Sequence, residues 1–189
     1  ANYLIEHGAG CDVCVGLCIR RSLDMIVGTL AILKTGSGYV PLDPAYPIDR
    51  LNMMTEDAGV KLILADEYGY ELFEEEGYDM LKLNEESWLE ITERPSTLPE
   101  RHLFPENICY VTFTSGSTGR PKGSALSQVG LGNMVQWQTK NHPLESEGWC
   151  LQFATINFDV SFQEIFTCWA GGGSLVVATE GQRRDPAAL

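Results

Sequence analysis

Ile108-Cys-Tyr-Val-Thr-Phe-Thr-Ser-Gly-Ser-Thr-Gly-Arg-Pro-Lys-Gly123 decides the fold of this chain. Ile108 to Phe113 is a short apolar run that alternates like a strand. It opens into a loop of hydroxyls and glycines, Thr114, Ser115, Gly116, Ser117, Thr118 and Gly119, followed by Arg120, Pro121 and Lys122. Glycines without a Cβ let backbone N–H groups close around an anion. Hydroxyls add rotatable donors and the lysine a compact positive charge. The parts make a cradle for a polyphosphate.

Two common phosphate loops do not fit. The mononucleotide pattern G-x-x-x-x-G-K-[ST] fails because Pro121 stands five residues after Gly116. The dinucleotide pattern G-x-G-x-x-G fails because Gly116, Gly119 and Gly123 are spaced three and four apart. A plain Gly/Ser surface turn leaves both the preceding strand and the closing Arg-Pro-Lys-Gly without a reason.

Working outward, Val13, Val15, Leu17 and Ile19 alternate with Cys14, Gly16 and Cys18, the pattern of a strand buried on both faces. That reading weighs against a zinc site at His7, Cys11, Cys14 and Cys18, since four ligands need a turn that the run after Cys14 lacks. Ser22 can cap a helix through Leu23, Ile26, Val27, Leu30 and Leu33 that Gly36 would stop. Asp49 can cap a second, ending at Gly59, before a buried strand over Val60–Leu64. The Arg94–Pro105 stretch, with three prolines, reads as a linker. Ser127 should cap a helix over Val129–Lys140, Gln152–Ala154 should be a short strand, and Phe162, Ile165, Phe166 and Trp169 space like a buried helix face. Gly171–Gly173 would end that helix before a strand over Ser174–Ala178. At the two ends, Asn2–Ile5 reads as the tail of a helix and Asp185-Pro186 as the start of one. Strands alternating with helices predict an α/β layer with a mostly parallel sheet.

At 189 residues and 44% hydrophobic content, the chain can bury a core of its own. No run of eighteen apolar residues exists, which excludes a membrane-spanning helix. The net charge is −13, and Asp66 to Glu106 alone holds thirteen acids against Lys82, Arg94 and Arg101. Apolar residues such as Tyr78, Leu81, Leu83, Trp88 and Leu89 interrupt those acids, so the segment reads as a solvated surface rather than an acidic tail. This balance opposes nucleic-acid binding through phosphate neutralisation. Cys109 and Cys168 sit in apolar runs as small core fillers. Six cysteines at irregular spacing are expected of a reducing, cytoplasmic compartment.

The phosphate-loop segment resembles the signature of the adenylate-forming superfamily, which includes acyl-CoA synthetases, luciferases and the adenylation domains of nonribosomal peptide synthetases. Leu33-Lys-Thr-Gly-Ser-Gly-Tyr-Val-Pro-Leu-Asp-Pro44, with Tyr46-Pro47 and Asp49-Arg50-Leu51, resembles the peptide-synthetase form of an upstream motif. Phe158-Asp159-Val160-Ser161 resembles that family's substrate-site motif. The three occur in the family's order. Gln128 stands where a histidine is common, Ser124 where a valine is usual, and Asn157 where a small residue precedes the Phe-Asp pair.

The resemblance implies a partial N-terminal large domain over residues 1–189, with a mostly parallel sheet flanked by helices. The family's later glutamate motif, hinge and mobile C-terminal domain with its catalytic lysine have no counterpart in this sequence, so a fragment is expected. The implied activity is ATP-dependent formation of aminoacyl-AMP and pyrophosphate, followed by loading onto a carrier-protein phosphopantetheine thiol. The implied partners are carrier and condensation domains. By resemblance, Thr114, Ser115, Gly116, Ser117, Thr118, Gly119 and Lys122 hold the phosphates. Thr118 and Lys122 then stabilise the departing pyrophosphate. Mg2+ would bridge the phosphates through a protein ligand outside this sequence. Phe158 would flank the nucleotide–carboxylate junction, with a core phenylalanine as its alternative. Asp159 would pair with the substrate's α-ammonium; by pattern alone it is equally a helix N-cap. Val160 and Gln163 would line the amino-acid pocket, and Asp-Val-Gln resembles the opening of proline-activating domains. An acyl-CoA or aryl-acid ligase, and an inactive piece that binds nucleotide weakly, are the alternative expectations.

Overall fold

A computed structural model describes residues 1–100, 103–114, 120–143, 148–185 and 187. The elements run α1 (Asn2–Glu6), β1 (Cys14–Cys18), α2 (Leu23–Lys34), β2 (Gly38–Pro41), α3 (Ile48–Asp57), β3 (Leu62–Ala65), α4 (Glu67–Phe73) and β4 (Asp79–Lys82). Then follow α5 (Glu85–Thr92), β5 (Ile108–Thr114), β6 (Lys122–Ser127), α6 (Gln128–Asn141), β7 (Trp149–Gln152), α7 (Val160–Ala170), β8 (Ser174–Val177) and α8 (Glu180–Arg184). A six-stranded sheet has the order β4-β3-β1-β2-β5-β6, and β7 and β8 form a separate parallel pair. Every pairing in the large sheet is parallel except β5 with β6. The α/β architecture expected from sequence is the one observed.

β1 lies at the centre because both its faces are apolar. Val15, Leu17 and Ile19 point into one core with Ile26, Ile32, Tyr39 and Phe162. Cys14 and Cys18 point into the other with Leu42, Leu51, Ile63 and Phe73. Gly16 keeps that second layer thin, since a Cβ there would come within 2.8 Å of Leu42 Cδ1. Gly69 is tighter still: its Cβ would fall 2.0 Å from the Cys18 carbonyl oxygen, so α4 lies directly on the end of β1. Asp66 sets that contact by accepting from the Gly69 N–H at 2.8 Å and pairing with Arg20 Nε at 2.7 Å. Gly36, at φ +87°, takes the left-handed conformation that ends α2.

Ser22 caps α2 as its spacing predicts, accepting from the Met25 N–H at 3.2 Å. Asp49 does not cap α3. The Pro47 carbonyl already accepts from Arg50 and Leu51, so the helix begins two residues earlier than an Asp49 cap would place it, and Asp49 sits in its first turn. The strand expected at Val60–Leu64 is shifted to Leu62–Ala65. The acidic segment is a solvated surface that is itself folded, into α4, β4 and α5, with Leu81 buried in the edge strand β4. Its acids lie outward, and the alternation of β4 is short enough to be masked by them in sequence.

The strand expected at Gln152–Ala154 instead ends at Gln152. Side chains take the backbone groups that a ladder would need. Arg21 donates to the carbonyls of Gln152, Phe153 and Ala154, and Glu164 accepts from the N–H groups of Phe153 and Ala154. Ser127 occupies the N-cap position of α6 without a side-chain cap bond. Asp185 ends α8, and its carboxylate accepts from the Ala187 N–H at 3.0 Å; Pro186 lies outside the described residues. No helix among the described residues is long and apolar enough to cross a membrane.

Candidate active site

Two sequence signals converge at the β5, β6 and α7 end of the molecule. β5 and β6 form an antiparallel hairpin in which Thr114 faces Lys122, so these two residues make the neck of the loop between them. Both are exposed. Lys122 and Gly123 belong to β6 rather than to the loop expected from the sequence pattern. Gly123 faces Phe113, and a Cβ there would lie 3.1 Å from the Phe113 ring, so the glycine makes room for the aromatic side chain. Ser115, Gly116, Ser117, Thr118 and Gly119 lie outside the described residues. The described ends of this loop, Thr114 and Lys122, lie at the carboxyl end of β5, the edge where α/β sheets bind ligands.

The second signal lies at the start of α7. Asp159 is in the N-cap position with αR dihedrals (φ −57°, ψ −28°), and its side chain makes no cap bond. The capping alternative is therefore not what its carboxylate does here. It is exposed and faces a cavity of about 220 Å³ whose other walls include Tyr110, Leu126, Leu131, Met134 and Phe162. Val160 and Gln163 line the same cavity. Gln163 Nε2 also donates to Gln138 Oε1 on α6 at 3.1 Å, fixing the amide across the mouth. Phe158 does not line it and is 61% exposed, which removes the core-phenylalanine alternative.

The floor is aromatic. Phe162 stacks on Tyr110 with centroids 3.9 Å apart and on Tyr39 at 5.2 Å. Burial pushes the Tyr110 hydroxyl up to about 12, and the Asp159 carboxylate reinforces it. Burial holds the Tyr39 hydroxyl well above its ordinary value too. Both phenols therefore stay neutral across the physiological range, leaving Asp159 as the anion of the cavity.

Asn157 ties this turn to the rest of the fold. Its Nδ2 donates to Asp43 Oδ2 at 3.1 Å and to Thr155 Oγ1 at 3.2 Å. Asp43 follows β2 in the upstream motif, so two sequence motifs 114 residues apart meet here. Sequence reasoning registers Asn157 only as a departure from a small residue, and it reads Tyr110 only as a strand residue. Neither Tyr110 nor Met134 carries a spacing signal that marks it as part of the cavity.

Comparison with known proteins supplies the family. The family model described as AMP-binding enzyme matches residues 1–189. The chain belongs to the AMP-binding enzyme family. Within it, the chain is 35% identical over 185 residues to tyrocidine synthase 3 of Brevibacillus parabrevis, covering 98% of this chain and 3% of the relative. It is 35% identical over 190 residues to zwittermicin A synthase ZmaJ of Bacillus cereus, covering all of this chain and 35% of the relative. It is 36% identical over 184 residues to bacitracin synthase 3 of Bacillus licheniformis, covering 95% of this chain and 3% of the relative. This AMP-binding chain thus spans about a third or less of the length of these relatives.

Proposed function

We propose that this chain takes part in activating an α-amino or imino acid: ATP and the substrate carboxylate give aminoacyl-AMP and pyrophosphate. The acyl group then passes to the phosphopantetheine thiol of a carrier domain, beside condensation domains of a multidomain peptide synthetase. Membership of the AMP-binding family and the synthase names of its relatives support this reading. The observation that carries it is Asp159, an uncapped carboxylate at the mouth of a cavity whose remaining walls are largely apolar. An ammonium group pairs with that carboxylate, and the apolar walls take the side chain. A fatty or aryl acid would leave the Asp159 charge without a partner.

The reaction joins two anions, so positioning and charge stabilisation dominate. Thr114 and Lys122, with Ser115, Gly116, Ser117, Thr118 and Gly119 between them, bind the phosphates, and Lys122 offsets charge as pyrophosphate leaves. Mg2+ supplies further neutralisation when bound. Among the described residues no group of three or more His, Cys, Asp or Glu side chains could hold a metal. Phe158, exposed at the same turn, would pack beside the bound nucleotide. Asp159, Val160 and Gln163 in series support proline among the candidate substrates.

The test is ATP–pyrophosphate exchange on the full-length protein, scanning amino and imino acids against carboxylic acids that lack the amine. Exchange should depend on an amino or imino acid and fall sharply in Asp159→Asn. Exchange driven equally by acids lacking the amine would replace this reading with an acyl- or aryl-acid ligase.

A further inference from the structure

A second cavity, of about 270 Å³, opens at the carboxyl end of β1 and is lined by Arg20, Arg21, Arg183 and Arg184, with Tyr68 and Thr155. Asp43 and Glu180 are its carboxylates, so four guanidiniums face two acids in a chain whose net charge is −13. β1 lies between β2 and β3, the place where the strand order turns back, and such crevices are where α/β sheets take ligands. We propose that this cavity is a binding site for a phosphoryl anion of the pyrophosphate type, separate from the loop after Thr114.

Hydrogen bonding within the cavity supports the site. Both acids are already engaged. Asp43 accepts from the Ala45 N–H at 3.0 Å and from Asn157 at 3.1 Å. Glu180 pairs with Arg183 at 2.9 Å and Arg21 at 3.3 Å. Burial pushes the Glu180 carboxyl up, but the two arginines outweigh it and hold it below its usual value. Glu180 is thus spent on neutralising charge rather than available to repel an anion. Arg21, 5% exposed, is consumed by the carbonyls of residues 152–154 and by the Gln152 side chain, and it forms the back wall.

The donors left over belong to the other three arginines. Arg20 donates a hydrogen bond only through Nε, to Asp66, and its guanidinium lies over the Tyr68 ring at 5.7 Å; its terminal nitrogens make no hydrogen bond among the described residues. Arg183 Nε is buried and has no partner among the described residues. Arg184 makes no side-chain hydrogen bond or ion pair among the described residues. Burial and the nearby Arg183 charge push the Arg21 guanidinium below its usual value, which marks like charges facing one another across the pocket. A compact anion relieves that repulsion, and the arginine forks suit phosphoryl oxygens. The cavity lies on the same sheet edge as the loop after β5. Two strand spacings, about 10 Å, separate the ends of β1 and β5.

Free pyrophosphate and the polyphosphate tail of a nucleotide share this chemistry, and the test separates them. Pyrophosphate binding is measured by calorimetry on the full-length protein in a Lys122→Ala background, which weakens the loop after Thr114. Binding that persists there should fall at least about tenfold in Arg183→Gln/Arg184→Gln. Arg20→Gln, at an exposed position, should give the same direction, and a melting curve checks that loss of its pair with Asp66 leaves the fold intact. Hydrogen exchange should slow over residues 19–25 and 180–185 on adding pyrophosphate alone if the free anion is the ligand, or only with ATP if the nucleotide tail is. Affinity and stoichiometry unchanged in both arginine variants, or no protection of those segments by either ligand, would overturn the proposal. Neither result would touch the role of Asp159 or of the loop.

Discussion

Asn157 Nδ2 donates to Asp43 Oδ2 at 3.1 Å, joining the loop after β2 to the turn that leads into α7. The turn is also closed by the Phe158 N–H on the Thr155 carbonyl at 3.0 Å and by Ser161 Oγ on the Phe158 carbonyl at 2.6 Å. Those two bonds are local, whereas the Asn157 bond anchors the turn to a distant element. The orientation of Asp159 therefore depends on a residue outside its cavity.

Asn157→Ala removes that anchor while leaving Asp159 in place. The expected result is a rise in the KM for the amino acid of about tenfold, with the KM for ATP little changed. A hydrogen bond to a charged group is worth about 1.5–3 kcal/mol, and the partial exposure of Asp43 lowers that. An equal rise in both constants would show that the turn orients more than Asp159.

Lys122→Ala should lower pyrophosphate exchange by about 100-fold, the scale for loss of one charge-stabilising donor. The Thr114–Lys122 pairing is backbone geometry, so the hairpin should survive and melting should shift little. Exchange kinetics equal to the unaltered protein would remove the loop from the mechanism.

Gly69→Ala should destabilise the fold by about 3 kcal/mol or more, because the new methyl would overlap the Cys18 carbonyl and α4 would have to lift from β1. Gly59 offers the contrast. It has φ +64° with open space around it, so Gly59→Ala should cost only about 1 kcal/mol. Urea titrations of the two variants check the difference.

Stability should fall at high pH. Burial pushes the Cys18 and Cys109 thiols up to about 12, from an ordinary value near 9. Above pH 9 the unfolded chain releases these protons while the folded one keeps them. The stabilisation is full below pH 9 and is lost as pH rises towards 12, at about 1.4 kcal/mol per pH unit for each thiol. Cys109→Val should flatten the slope by one proton in denaturant titrations at pH 8, 9 and 10.

The central strand was legible because Val15, Leu17 and Ile19 alternate with Cys14 and Cys18, and only a strand covered on both sides uses that pattern. The motif residues Asp159, Val160 and Gln163 were legible as a group, and they share one cavity. What escaped is non-local. β7 stops at Gln152 because Arg21, 131 residues away, takes its next carbonyls. Asp49 fails to cap because Pro47 already accepts the first helical bonds. The acids of Asp66–Glu106 hid β4, whose burial comes from pairing with β3. Long-range partners of this kind leave no periodicity behind them.

The β5–β6 hairpin has one more consequence, for the order of folding. Among the described residues it is the only antiparallel, sequence-adjacent pairing in the six-stranded sheet. Hairpins close in about 1–10 μs, while parallel strands wait for their crossovers to be ordered. A nascent polypeptide thus shapes the Thr114–Lys122 neck before the sheet that supports it has assembled.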